Sequence, residues 1–191
     1  MGESASVLAD RLGRVLETHG AECSEATDSC MPFKRPSPAA AIARGDAVRF
    51  AAVALPIWRT NGAWYLGLMK RTEYPGVHSG QISIPGGEVE AEDADRKATA
   101  AREFEEEMGV SLANVPLGSG LSERYIPPSR FVVTPFIACF EVEPRWAIDP
   151  VEVDRMIVMP IHELLHPDAL KPTTIEIQPG ASVALPAYRW D

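Results

Sequence analysis

The chain of 191 residues carries 27 acidic against 18 basic side chains, a formal net charge of -9 at pH 7. That length predicts one domain with added segments, and the acidic balance argues against a protein that grips a nucleic-acid backbone. The longest apolar run, residues 51–58, falls far short of the ~20 residues of a membrane-spanning helix, so no membrane span is expected.

Val7, Leu8, Leu12, Val15 and Leu16 recur at helical spacing and Gly20 follows as a stop, which predicts an amphipathic helix over residues 5–18. Glu3, Asp10 and Arg11 stand where a secretory signal would be apolar. Residues 21–46, with Pro32, Pro36 and Pro38, read as an irregular connection. Residues 48–59 form a partly β-branched strand candidate, Thr60-Asn61-Gly62 a hairpin signal, and residues 63–71 the returning strand. After a loop over 72–80, residues 81–84 alternate briefly and Pro85-Gly86-Gly87 breaks them. Residues 94–108 read as a helix, with Gly109 as its stop. Residues 130–142 predict a long strand interrupted at Pro135, residues 154–159 a further strand, 161–165 a short helix and 173–178 another strand. Residues 186–191 read as the start of a strand that stops early. Strands on both sides of one acidic helix predict a mixed α/β sandwich, with residues 1–45 as an N-terminal helix and connection and 46–191 as the main domain.

Three cysteines, Cys23, Cys30 and Cys139, match no zinc or disulfide framework and point to a reduced, cytoplasmic setting. Cys139 lies in an apolar run and reads as a packed thiol.

The charge is concentrated. Residues 88–107 hold nine acidic and three basic side chains, a net of -6 in 20 residues. Within that run, Glu103, Glu106 and Glu107 are spaced three and four apart and share one helix face, about 4.5 to 6 Å apart along the axis. Phe104, Met108, Ala100 and Ala101 offer a face for packing on a sheet. Converging carboxylates repel one another, and a hard divalent cation with oxygen ligands offsets that repulsion, so the spacing suits a metal–phosphate site. A salt-bridged solvent face, with Arg102 paired to Glu105 or Glu106, is the other reading of the helix alone. The preceding glycine pair is neither a Walker A loop nor a Rossmann fingerprint.

Gly87, Asp93 and Arg102-Glu103-Phe104-Glu105-Glu106-Glu107-Met108-Gly109-Val110 resemble the box of the Nudix hydrolases, G-x5-E-x7-R-E-U-x-E-E-x-G-U with U apolar. The second half fits at every fixed position. Asp93 stands where Glu is usual, and the span from Gly87 to Arg102 is one residue longer than the pattern. That longer span, with Thr99-Ala100 before the box arginine, is similar to the coenzyme A pyrophosphatase branch. So is the run from Arg71-Thr72 through His78-Ser79-Gly80-Gln81 to Pro85-Gly86-Gly87, where Thr72, Gly76 and Ile84 replace the branch's Ser/Ala, Arg and Phe. Residues 125–136 extend the likeness, which covers about residues 46–190. The branch continues past this chain's final Tyr188-Arg189-Trp190-Asp191 into a strand and a last helix, so a domain shortened at that end is expected.

The resemblance implies a Nudix-type α/β/α sandwich with a mixed sheet, an N-terminal helical extension and metal-dependent hydrolysis of a diphosphate. In the coenzyme A branch the products are 3',5'-ADP and 4'-phosphopantetheine. It implies Mg²⁺ or Mn²⁺ on Glu103, Glu106 and Glu107, with Arg102 holding a box carboxylate in place. Gly86 and Gly87 are expected to admit backbone to the metal or diphosphate, and Arg71, His78 and Arg130 are the candidate substrate contacts. Asp93 is expected to favour the start of the helix through its dipole. The partner expected is a small nucleotide-type molecule, with coenzyme A foremost and ADP-ribose, NADH or a dinucleotide as alternatives. A Nudix-fold binding module without turnover is the reading from a different class. Homodimerisation is common in the family, and nothing in the sequence marks an interface.

Overall fold

The structure is a computed structural model that describes residues 4–12, 14–15, 35–75, 79–118, 120–178 and 180–188. Residues 5–12, with 14–15, are helical and are called α1. They are followed by α2 (Pro38–Ala43), β1 (Arg49–Thr60), β2 (Ala63–Arg71), β3 (Ile82–Ser83), β4 (Gly86–Glu88), α3 (Arg96–Met108), β5 (Arg124–Ile126), β6 (Phe131–Phe140), β7 (Val153–Pro160), α4 (Ile161–Leu164), β8 (Leu170–Gln178) and β9 (Ala181–Tyr188).

Seven strands form a mixed sheet in which β3, β2, β1, β6 and β5 are neighbours in that order, while β4 pairs β1 and β7 pairs β2. Among the described strands only β1 and β6 run parallel, in register from Arg49 with Phe131 to Trp58 with Phe140. The other edge of β1 is divided. Its far half, Ile57 to Thr60, pairs β2 around a tight turn with Asn61 at φ 51° and Gly62 at φ 82°. Its near half, Ala51 to Val53, pairs β4. Ala54 N–H donates to the carbonyl of Pro85 at 2.9 Å, so the backbone of Pro56, two residues on, faces the gap between the two pairings. A residue without an N–H costs nothing there. Beyond the division β2 turns to β7 and β3.

Side chains alternate across the sheet, and each face carries helix. Ala52, Ala54, Trp58, Phe136, Ala138 and Phe140 pack on Ala100, Phe104 and Met108 of α3. Ile57 and Cys139, from the opposite face, pack on Ala5 and Ala9 of α1, with Leu8 and Leu12 alongside. Glu141 accepts a hydrogen bond from Ala5 N–H at 2.8 Å, which places a carboxylate at the start of α1. Strands β8 and β9 form a separate two-stranded sheet.

Several expectations are corrected. Strand β6 passes through Pro135 without a break: its carbonyl accepts from Leu121 N–H at 2.8 Å, so its nitrogen faces the edge where β5 has already ended. Pro38 starts α2 rather than breaking the chain, at the helix position where a missing N–H is harmless, with Ser37 accepting from Ala40 N–H as the cap. Residues 186–188 close β9, and Pro186 lies opposite Pro172. Helix α3 starts at Arg96, where Asp95 caps Ala98 N–H, and ends at Gly109 with φ 64°. Cys23 and Cys30 lie outside the described residues.

Candidate functional site

The division of β1 opens a gap between the end of β2 and β4, and one face of α3 lies against it. Gly86, at φ 145°, donates its N–H to Glu107 Oε2 at 2.8 Å. A Cβ on Gly86 would stand 2.3 Å from the carbonyl oxygen of Ala52, and one on Gly87 would stand 2.4 Å from Cδ of Glu103. Close approach of backbone demands the first glycine, which seats β4 against β1, while the second lets the Glu103 carboxylate rest on β4.

Glu107 is only 2% exposed. Its Oε1 accepts from Arg71 Nη1 at 3.0 Å, and the same guanidinium lies 3.6 Å from Glu152. Burial pushes the Glu107 carboxyl up to about 7, against the Gly86 N–H and the Arg71 charge, both of which favour the anion. Glu103 is also raised, first by burial; Arg102 opposes the shift, and the charges of Glu106 and Glu152 add to it. A metal-free chain thus resists full ionisation of this patch.

Arg102 ties the acidic run together. It donates to both oxygens of Asp93 at 3.1 Å, to the Glu88 carbonyl at 3.1 Å, to Glu103 at 3.0 Å and to Glu106 at 3.2 Å. Asp93 is held well below the usual carboxylate range by those Arg102 bonds first. Its described contacts are with Arg102, Glu90 and Thr99, and Asp95 is the N-cap of the helix. Glu88 pairs with Arg49 at the surface.

Arg71, Gly86, Gly87, Arg102, Glu103, Glu106 and Glu107 thus come together. Arg130 does not join them: it lies in the turn just before β6 at φ 58°, and its charge acts on Asp46 and Tyr125. His78 lies outside the described residues. Glu152 is the site residue that sequence reasoning missed. It arrives from the segment before β7, where its carbonyl accepts from Thr72 N–H at 3.0 Å, and no sequence spacing links it to the box.

Among the described residues, no three Asp, Glu, His or Cys side chains are already gathered into a finished metal site. The box carboxylates are engaged by arginines instead. The donor set nevertheless fits a hard divalent cation: all its ligating atoms are oxygens, with Glu103 and Glu107 fixed and Glu106 exposed on the same helix face.

Comparison with known proteins places the chain among relatives of one family. The "Uncharacterized Nudix hydrolase NudL" of Enterobacter sp. (strain 638) is 30% identical over 128 residues, 67% of this chain and 66% of that protein. "Nudix hydrolase 15, mitochondrial" of Arabidopsis thaliana is 32% identical over 100 residues, 51% of this chain and 35% of that protein. The match thus spans no more than about two thirds of the length of these curated relatives. Among solved structures, the NUDIX domain of Shewanella oneidensis NrtR complexed with ADP ribose superposes with a TM-score of 0.50 at 17% identity, over 68% of this chain and 87% of that one. A binary complex of a C. elegans Ap4A hydrolase gives 0.51 at 16% identity, over 62% and 84%. These two show the shared fold. Residues 48–179 match the model of the NUDIX domain, and with the box glutamates seated on the glycine pair of β4, the chain belongs to the Nudix family.

Proposed function

We propose that this chain hydrolyses the diphosphate linkage of a nucleoside diphosphate derivative with Mg²⁺ or Mn²⁺, and that coenzyme A or an acyl derivative is its substrate. The observation that carries the reading is the seating of Glu103 and Glu107 of α3 on the β4 backbone, with Glu106 on the same helix face held by Arg102 and Arg71 paired to Glu107 across the gap. The coenzyme A assignment rests on the upstream run from Arg71 to Gly87. The buried free thiol of Cys139 suits a reducing, cytoplasmic setting.

Glu103, Glu106 and Glu107 would hold the cation, which when bound polarises a phosphoryl oxygen and lowers the pKa of water. The chain's own residues do the rest. Gly86 N–H fixes the Glu107 carboxylate through one oxygen. Arg102, anchored on Asp93 and the Glu88 carbonyl, sets the direction of Glu103 and Glu106. Arg71 supplies a cation on the side from which an anionic diphosphate enters.

The test is a panel of coenzyme A, an acyl-coenzyme A, NADH, ADP-ribose and a diadenosine tetraphosphate, each incubated with Mg²⁺ or Mn²⁺ and resolved by chromatography. The expected result is 3',5'-ADP and 4'-phosphopantetheine from coenzyme A, faster than any cleavage of the others. Preferential cleavage of ADP-ribose or the dinucleotide moves the substrate, and no cleavage of any of them removes the enzymatic reading. Glu106→Gln and Glu107→Gln are each expected to lower metal-dependent turnover by about a hundredfold or more. Full turnover in both variants overturns the ligand assignment.

A further inference from the structure

The two arginines of the site are held in different ways. Arg102 is anchored outside the glutamate set, on both oxygens of Asp93 and on the Glu88 carbonyl, so it keeps its place whatever the glutamates bind. The ion-pair partners of Arg71 are Glu107 at 3.0 Å and Glu152 at 3.6 Å, with the exposed Tyr74 beside it. Both partners belong to the acidic patch itself. Glu107 Oε2 is taken by Gly86 N–H, and Oε1, the oxygen not engaged by backbone, is the one Arg71 holds. A divalent ion and the Arg71 guanidinium therefore compete for one buried oxygen. Arg71 sits at the end of β2 beside the gap, with 22% of its side chain exposed, so it has somewhere to go.

We propose that Arg71 is an exchangeable internal cation: it neutralises Glu107 in the metal-free chain, yields Oε1 to the divalent ion, and then takes an oxygen of the incoming diphosphate. The inference rests on the metal-dependent reading of the site and adds a coupling to it. Because metal and anion each favour the released arginine, each strengthens the other's binding, and by linkage the effect is reciprocal. Arg71 is in this role a positioning residue for the metal and a direct contact only for the anion.

The experiment measures Mn²⁺ affinity on the full chain from the electron paramagnetic resonance signal of free Mn²⁺, with and without methylene diphosphonate. Mn²⁺ held by the diphosphonate alone is subtracted. Arg71→Gln is expected to bind Mn²⁺ at least about fivefold more tightly than the parent without the anion. Adding the diphosphonate is expected to tighten Mn²⁺ binding more in the parent than in Arg71→Gln, and an equal gain in both removes the arginine–anion contact. Equal or weaker Mn²⁺ binding by Arg71→Gln overturns the proposal and makes Arg71 a fixed support for Glu107. Should Arg71→Gln fail to fold, Arg71→Met carries the same comparison. It keeps the apolar stem and removes the cation from Glu107, so it is again expected to bind Mn²⁺ more tightly, and unchanged affinity overturns the proposal. If Glu107→Gln binds Mn²⁺ as well as the parent, the cation site itself is wrong, a result separate from either outcome at Arg71.

Discussion

Asp93 shows how much one side chain can steer. It is 5% exposed, and both its oxygens accept from Arg102, with Glu90 N–H adding a third bond. Its folded carboxyl is therefore far more acidic than the unfolded reference of about 3.9. The sign of the linkage follows. The folded state binds the proton less readily, so the stabilisation is complete above that reference and is lost progressively as pH falls from it towards the lower folded value. Asp93→Asn is expected to lower stability at pH 7 and to flatten the fall in stability between about pH 4 and pH 2. Urea titrations at several pH values measure both effects, and a parent-like acid slope in the variant refutes the assignment. The family's usual Glu at this position is longer by a methylene. Asp93 reaches Arg102 across nine residues of chain all the same, because Arg102 extends to it along the start of α3.

At the scale of an element, β4 is three residues long and still sets the geometry of the site. Its two glycines do different work, and substitution separates them. Gly86→Ala puts a methyl into the Ala52 carbonyl at a backbone angle that L-residues rarely adopt, so a loss of stability of a few kcal/mol is expected, about 2 or more. Gly87→Ala meets the carboxylate of a side chain, which can swing away. Its expected cost falls on turnover and Mn²⁺ affinity, with a smaller drop in melting temperature than for Gly86→Ala. The reverse order in paired melting and activity measurements contradicts this division. Strand β4 was not legible in the sequence: Pro85-Gly86-Gly87 reads as a breaker, and the residues are extended only because β1 leaves half an edge free. Helix α3 was legible to within two residues at its start and to the residue at its end, since its period and its glycine stop are local signals. Prolines misled wherever the N–H they lack had no partner to lose, at Pro38 and Pro135. The box carboxylates were found because a helix converts spacing into proximity, whereas Glu152 was not, because only the pairing of β7 with β2 carries it there.

For the whole molecule, the described part of the N-terminal region packs on the sheet. Helix α1 covers the face of Ile57 and Cys139, opposite α3. Cys139 is fully buried there, and burial pushes its thiol up to about 11, so it is doubly protected from reagents that need a thiolate. In a variant with Cys23 and Cys30 replaced by serine, Cys139 is expected to stay unmodified by a thiol reagent at pH 8 for as long as the chain is folded. Ala9→Glu, which forces a charge into the contact, is expected to make it reactive well below the global melting temperature. Equal protection in both chains, read by mass spectrometry, shows that α1 does not shield the sheet.

The divided edge of β1 bears on how the molecule can admit a bulky ligand. Arg71 and Gly86 face each other across the site, yet they hang from separate hydrogen-bond ladders, one joined to β1 after Pro56 and the other before it. The two jaws are nevertheless tied, by the unbroken pairing of β1 with β6 across Pro56 and by the two-residue link from β3, which is laddered to β2, into β4. Their spacing is therefore fixed by the sheet, and room for a bulky ligand comes from the side chains between them.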